Sequence, residues 1–290
     1  MRKRVIPYLF ILPQYVVFII FFVFPVIMAI YISFCKWDLV SLPSFVGFEN
    51  YMSILFKPDS FYFKLFWSSL KNTLMYVLIS VPLLIIVPLI LAIMLTSIKK
   101  GVSLFQSIFY FPYLLSVATV VLTWRWLLDK NFGIINKIFN LDIGWTVEEP
   151  YFWIAVVVMS LWWGLGGNMI IFIAGIKGIP ETLYDAAKID GANTIYKFLN
   201  VTLPGLKEQI LYTFVITTIA SFNIYGQPLM LANTKNLTSD KNTLLIAIQQ
   251  TTFGSVSAAG MATAMALILG VILFSISLLQ FRIYGKDMRE

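Results

Sequence analysis

Long apolar blocks alternate with shorter polar ones along the whole chain. Residues 9–34, 70–96, 105–128, 151–176, 209–231 and 258–281 form blocks near or above the roughly 20 residues that carry an α-helix across a bilayer. The pattern predicts an all-α polytopic membrane protein with six transmembrane helices, organised as one transmembrane domain over residues 1–290. Longer connections fall at 36–69, 129–150 and 232–257, and a short basic turn at 98–101. The stretch at 178–207, GIPETLYDAAKIDGANTIYKFLNVTLPGLK, is the exception among the connections, because it carries its own helical pattern.

Several blocks contain residues that a plain lipid-facing helix does not need. Pro25 is expected to bend the first, and Pro82 and Pro88 to kink the second. Such breaks are tolerated where neighbouring helices or water satisfy the freed carbonyls. The fourth has Trp162, Trp163, Gly164, Gly166, Gly167 and Asn168 at its middle: glycines for close helix approach, and an amide that needs a partner inside the bundle. The small residues from Ala259 to Ala266 in the last block read as tight packing. The fifth block is the most polar, with Thr213, Thr217, Thr218, Ser221 and Asn223. Its hydroxyls either bond back to their own helix or face a polar translocation path. On the second reading the path residues are Asn168, Thr217, Ser221, Asn223, Tyr225 and Gln227.

Within 178–207, Pro180 suits the first turn of a helix, and Glu181 and Asp185 lie near its positive end. Tyr184, Ala186 and Ala187 offer an aromatic beside small side chains, a flat surface for another protein. Gly191 breaks the helix, Tyr196, Phe198, Leu199 and Val201 supply a second apolar edge, and Leu203 and Pro204 are expected to end it before the fifth span. The stretch is either a simple linker between two spans or a docking surface.

Composition narrows the class. The chain is 59% apolar and 12% charged, about half the charged fraction of a soluble domain. Histidine is absent, which removes the commonest general base and zinc ligand. The single cysteine, Cys35, excludes an internal disulfide framework. The net charge of +7 fits basic loops kept on the cytoplasmic side better than nucleic-acid binding. The turn at Lys99 and Lys100 and both chain ends are basic and close to spans, whereas the opposite loops offset their lysines with Asp129, Asp142, Glu148 and others. Both termini and 178–207 are therefore expected in the cytoplasm. The basic start, followed by an apolar run too long for a signal peptide, reads as a retained first span.

Asp185-Ala186-Ala187, then Ile189-Asp190-Gly191-Ala192, then Val201-Thr202-Leu203-Pro204, resembles the signature loop of inner-membrane permeases in binding-protein-dependent ABC importers. The wording IPETLYDAAKIDGA is similar to the sugar-permease branch, with support from FVGFENY at 45–51, Asn72-Thr73, and WRWLLDKNFGIIN at 124–136. The resemblance implies a bacterial-type inner-membrane permease for a sugar or oligosaccharide. It pairs with a homologous permease, two ABC ATPases and an extracytoplasmic solute-binding protein. Glu181, Tyr184, Asp185, Ala186, Ala187, Gly191, Leu203 and Pro204 then belong to a coupling helix seated in the ATPase. Asp185 stands where that family usually has glutamate, and 233–240 lacks its Gly-Gly-Pro segment. No G-x-x-x-x-G-K-[ST] phosphate loop is present, so ATP and Mg belong to separate ATPase chains and no cofactor to this one. The alternatives are an ABC permease for another small solute and a secondary transporter or channel. The latter should carry membrane-embedded charge, and the interiors of the blocks are nearly uncharged.

Overall fold

The structure, a computed structural model, describes residues 2–98, 100–232, 238, 240–254 and 257–286. Lys99, most of 233–240 and the last four residues, on which some charge and motif expectations rest, lie outside this set. The described chain is almost wholly helical, as the apolar blocks predict. Five segments are long and apolar enough to cross a membrane: Phe10–Ser33, Phe61–Ser97, Tyr151–Gly178, Lys207–Ala232 and Ala259–Ile283. A bent helix pair makes the number six if it counts as one span. The chain clusters into two compact units, Met1–Trp67 with Leu244–Ile272 and Ser68–Thr243 with Leu273–Glu290.

In the first unit, α1 (Arg2–Phe18) passes through a π-helical turn, Ile19–Val23, into α2 (Phe24–Ser33). Pro25, where a bend is expected, follows closely on this π turn. The Phe24 N–H reaches back five residues to Ile19 O, so the ladder has already slipped when the proline's missing donor arrives. A two-residue hairpin follows, β1 (Cys35–Lys36) against β2 (Ser44–Phe45), then α3 (Glu49–Leu55) and the start of α4 (Phe61–Ser97). Buried Asn50 holds the hairpin base through Nδ2, which donates to Ser33 O at 2.8 Å and Cys35 O at 2.9 Å. The unit is completed by α14 (Leu244–Phe253) and the first turns of α15 (Ala259–Lys286). Gly260 is required here: a Cβ would sit 1.8 Å from Cys35 O. The small residues at the start of α15 thus admit hairpin backbone, not another helix alone.

In the second unit, the third apolar block is not one rod. It comprises α5 (Val102–Tyr110), a 3₁₀ turn at Phe111–Leu114 and α6 (Val117–Leu127), bent by 99°. Pro112 sits in the 3₁₀ turn, and Ser116 Oγ caps α6 by accepting from Thr119 N. The indole of Trp163 donates to Leu115 O at the break. Next come α7 (Ile134–Phe139), α8 (Tyr151–Gly178), α9 (Glu181–Ile189), α10 (Thr194–Lys197), a π-helical turn at Phe198–Thr202, α11 (Leu203–Gly205), α12 (Lys207–Phe222) and α13 (Gly226–Ala232). A core of Leu89, Ala92, Leu95, Met169, Phe172 and Ile173 joins α4 to α8, and Leu206 plugs into it. Gly166 lets the α5 end approach α8, since a Cβ there would lie 2.6 Å from Phe109 O and Tyr110 Cα.

Candidate functional site

Two arrangements in the second unit gather the residues singled out above. The first is a cavity of about 290 Å³ lined from α4, the 3₁₀ turn, α8, α12 and α13. Its hub is Asn168, buried in α8. Nδ2 donates to Leu84 O at 2.7 Å and to Thr217 Oγ1 at 3.0 Å. Leu84 is four residues before Pro88, so its carbonyl is the one that the proline deprives of a helical donor. Asn168 thus supplies from the next helix the hydrogen bond that α4 cannot make for itself.

The threonines of α12 divide. Thr213 and Thr218 bond back to Gln209 O and Phe214 O, and Thr218 also accepts from Gln280 Nε2. Thr217 instead meets Asn168 and faces the cavity, where Ser221 and Gln227 join it. Of the predicted path residues, Asn168, Thr217, Ser221 and Gln227 therefore come together. Asn223 bonds to Ile219 O and is exposed, and neither it nor Tyr225 lines the cavity. Sequence reasoning missed Tyr76, Tyr113 and Ser160, which complete the polar and aromatic wall beside Trp163. The glycines of α8 were their signal: a Cβ at Gly167 would press within 3.1 Å of the Tyr113 ring. Among the described residues, no charged side chain lines this cavity.

The second arrangement is the elbow from Glu181 to Leu206. Asn193 caps α10 by accepting from Tyr196 N, and Gly191 turns the chain at φ +72°. The helical path runs through Leu203-Pro204 and ends at Gly205, and Leu206 forms a turn before α12, so the exit expected before the fifth span falls there. The preceding π turn lets Leu203 N–H donate to Phe198 O, five residues back, and Pro204 opens the next helical turn where no donor is required. This is the device used before Pro25. Leu206 is fully buried, and Gly175 makes room for it: a Cβ there would meet Leu206 Cδ2 at 2.6 Å. The hydroxyls of Tyr184 and Thr202 lie 3.0 Å apart and tie α9 to the π turn. Ala187 is buried, whereas Glu181, Asp185, Ala186 and Gly191 are exposed. Asp185 accepts from Lys188 Nζ at 2.7 Å, which raises the lysine pKa above its usual value. Exposed Leu183, Ile189, Ile195, Tyr196 and Leu199 leave the elbow's outer side apolar.

A helical protein with several membrane-crossing segments, an uncharged inner cavity and an exposed helical elbow is a membrane transport subunit. The chain belongs to the family described as binding-protein-dependent transport system inner membrane component, whose model matches residues 50–286. It is the permease subunit of an ABC importer, a transport component and not a catalytic enzyme. It is 32% identical over 286 residues to the probable ABC transporter permease protein YesP of Bacillus subtilis (strain 168), covering 95% of this chain and 89% of that one. It is 31% identical over 294 residues to the arabinooligosaccharides transport system permease protein AraP of the same organism, covering 99% and 91%. Its fold matches a bacterial ABC transporter involved in import of the acidic polysaccharide alginate at a TM-score of 0.84. That match has 21% identity and covers 98% of this chain and 96% of the other. An importer of this kind works with ATPase and solute-binding partners, and ATP and Mg are used on the separate ATPase subunit.

Proposed function

We propose that this permease passes a neutral sugar or oligosaccharide through the cavity around Asn168, with the Glu181–Leu206 elbow coupling it to the ATPases. The observation that carries the coupling role is the elbow's division of labour. Leu206 and the Tyr184–Thr202 contact fasten it to the helical core, while the apolar side chains of α9 and α10 remain uncovered. A cleft in an ATPase that covers Leu183 and Ile189 would move α9 and, through Leu206, α4 and α8. The elbow and both termini then face the cytoplasm, and the bent pair α5–α6 serves as the remaining span of six. Glu181, Tyr184, Asp185, Ala186, Ala187, Gly191, Leu203 and Pro204 form the elbow's framework. The assembly pairs this chain with a homologous permease, two ABC ATPases and an extracytoplasmic solute-binding protein.

The cargo class is supported by the arabinooligosaccharide relative and by the cavity's chemistry. Hydroxyls, carboxamides and the aromatic faces of Trp163 and Tyr113 suit a polyhydroxylated ring, and the uncharged wall disfavours an ion or anionic solute. Alternating access moves the solute without bond chemistry, so no reactive side chain is required.

The test uses the complete transporter in proteoliposomes. Asp185→Ala, or a bulky side chain at Gly191, should lower both arabinotriose uptake and solute-stimulated ATP hydrolysis. Normal values for both would sink the coupling role. Thr217→Val and Gln227→Leu should change the KM for uptake while basal ATP hydrolysis stays intact; an unchanged KM removes the path assignment.

A further inference from the structure

A second cavity lies in the first unit. It has a volume of about 510 Å³, inside the roughly 300–1,000 Å³ range of small-molecule sites. Its walls come from the hairpin, α3, the start of α4 and the start of α15. The hairpin wall is built. Asn50 fastens its base, Trp37 Nε1 donates to Ser41 O at 2.8 Å, and Gly260 N donates to Trp37 O. Asn50 is 5% exposed and lines the cavity. Both its Nδ2 bonds go to backbone carbonyls, and its Oδ1 has no hydrogen-bond partner among the described residues. An ordered polar wall around a cavity of this size suits a small-molecule occupant.

The lining chemistry selects that occupant. Asp38 accepts from Ser41 N, Ser41 Oγ and Val40 N through Oδ1, and these bonds lower its pKa to about 2, so it is ionised. Its exposed carboxylate stands at the cavity wall. Glu49 adds a second carboxylate, Lys36 a cation, and Trp37 and Tyr62 two aromatic rings. Two carboxylates disfavour an anion, the ammonium of Lys36 disfavours a metal cation, and the polar wall disfavours an apolar guest. A sugar ring suits all three conditions: its hydroxyls both donate and accept, and its C–H faces lie against aromatics.

We propose that this cavity is an additional saccharide-binding site of the permease, separate in its residues from the path around Asn168. It rests on the sugar reading given above.

The test is arabinotriose binding to the complete transporter in nanodiscs without the solute-binding protein, read by saturation-transfer NMR alongside arabinotriose uptake in proteoliposomes. Thr217→Val is the common background, so that binding at the Asn168 cavity contributes equally throughout. Ser53→Trp, which fills the cavity, should abolish the component of binding assigned to it. Because tryptophan at 53 could disturb the fold, Glu49→Gln at an exposed position is the second variant, expected to weaken that component about three- to tenfold. Unchanged binding in Glu49→Gln, or no difference between Ser53→Trp and its background, overturns the site. So does a loss of binding-protein-stimulated ATP hydrolysis in Glu49→Gln with saccharide binding intact, which would make the cavity a protein-docking slot. Uptake with no such binding component sinks this inference alone. Binding without uptake, with uptake measured on the chain that keeps Thr217, sinks the cargo reading alone.

Discussion

Two polar connections of the second unit, the elbow at 181–206 and the short segment at 240–243, solve the same problem in opposite ways. The elbow leaves apolar side chains outside, with Ile189 at 87% and Ile195 at 69% exposure. The segment takes polar side chains inside, with Lys241 at 3% and Thr243 at 0%. Asn72 Nδ2 grips Asp240 O and Asn242 O at 2.9 and 3.0 Å, and Thr243 Oγ1 donates to Ile224 O. Lys241 Nζ donates to Val147 O at 2.7 Å and lies 5.6 Å from the centre of the Phe152 ring. A connection that buries its polar side chains and bonds most of them within its own unit presents little to a partner. One that leaves an apolar face exposed, at the cost of ordering its chain, is what the proposed coupling role calls for. Polarity along the sequence does not separate these cases; burial does.

The largest expected effect tests whether the elbow is anchored. Leu206→Ala should cost about 3 kcal/mol of stability, read as a lower unfolding midpoint of the purified permease, and should uncouple ATP hydrolysis from uptake. Ile189→Ser, on the same elbow, should cost less than about 0.5 kcal/mol yet lower solute-stimulated ATP hydrolysis. Equal destabilisation by both would erase the distinction between anchored and free parts.

Next is the closed segment. Lys241→Met keeps much of the side-chain volume but removes the charged donor to Val147 O, an expected loss of about 2 kcal/mol. Hydrogen exchange should rise at 144–152 and 240–243 while the elbow is unaffected. If exchange rises equally in both regions, the two connections are not independent.

A smaller and more discriminating effect concerns Asn168. Asn168→Leu should cost about 1–2 kcal/mol by leaving Leu84 O without a donor. Pro88→Ala restores an N–H four residues after Leu84, so the penalty should shrink in that background. A double-mutant cycle on unfolding midpoints measures this coupling. Strict additivity would show that Asn168 does not serve the proline-freed carbonyl. The smallest effect is expected from Lys188→Ala, which breaks an exposed ion pair with Asp185 and should change stability by less than about 0.5 kcal/mol.

Much of the fold was legible because crossing a bilayer requires length and apolarity, and both are local properties. Blocks such as 9–34 and 151–176 map closely onto observed helices, Phe10–Ser33 and Tyr151–Gly178. The third block was legible as apolar but not as bent, because its 99° break depends on Trp163 and Ser116 meeting backbone groups exposed around Pro112. The candidate cavity was half legible. Thr217 and Ser221 stood out as hydroxyls in an apolar helix, but Tyr76 and Tyr113 look like any other aromatics until α4 and the 3₁₀ turn are packed beside α8.

The sequence by itself determined the membrane class, the helix-forming blocks, and the elbow's helical pieces with their break at Gly191. The loop motif was enough to indicate the family. Tertiary structure decided which polar groups are spent and which are available. Asn168 and Thr217 are adjacent only because α8 and α12 pack together, and Leu206 becomes an anchor only because Gly175 leaves space for it. Pro204 sits in a short helical turn that ends at Gly205, and it fits there because the π turn before it has already changed the hydrogen-bond register. The reason is physical: hydropathy is additive along the chain, whereas hydrogen-bond satisfaction depends on neighbours that only packing supplies.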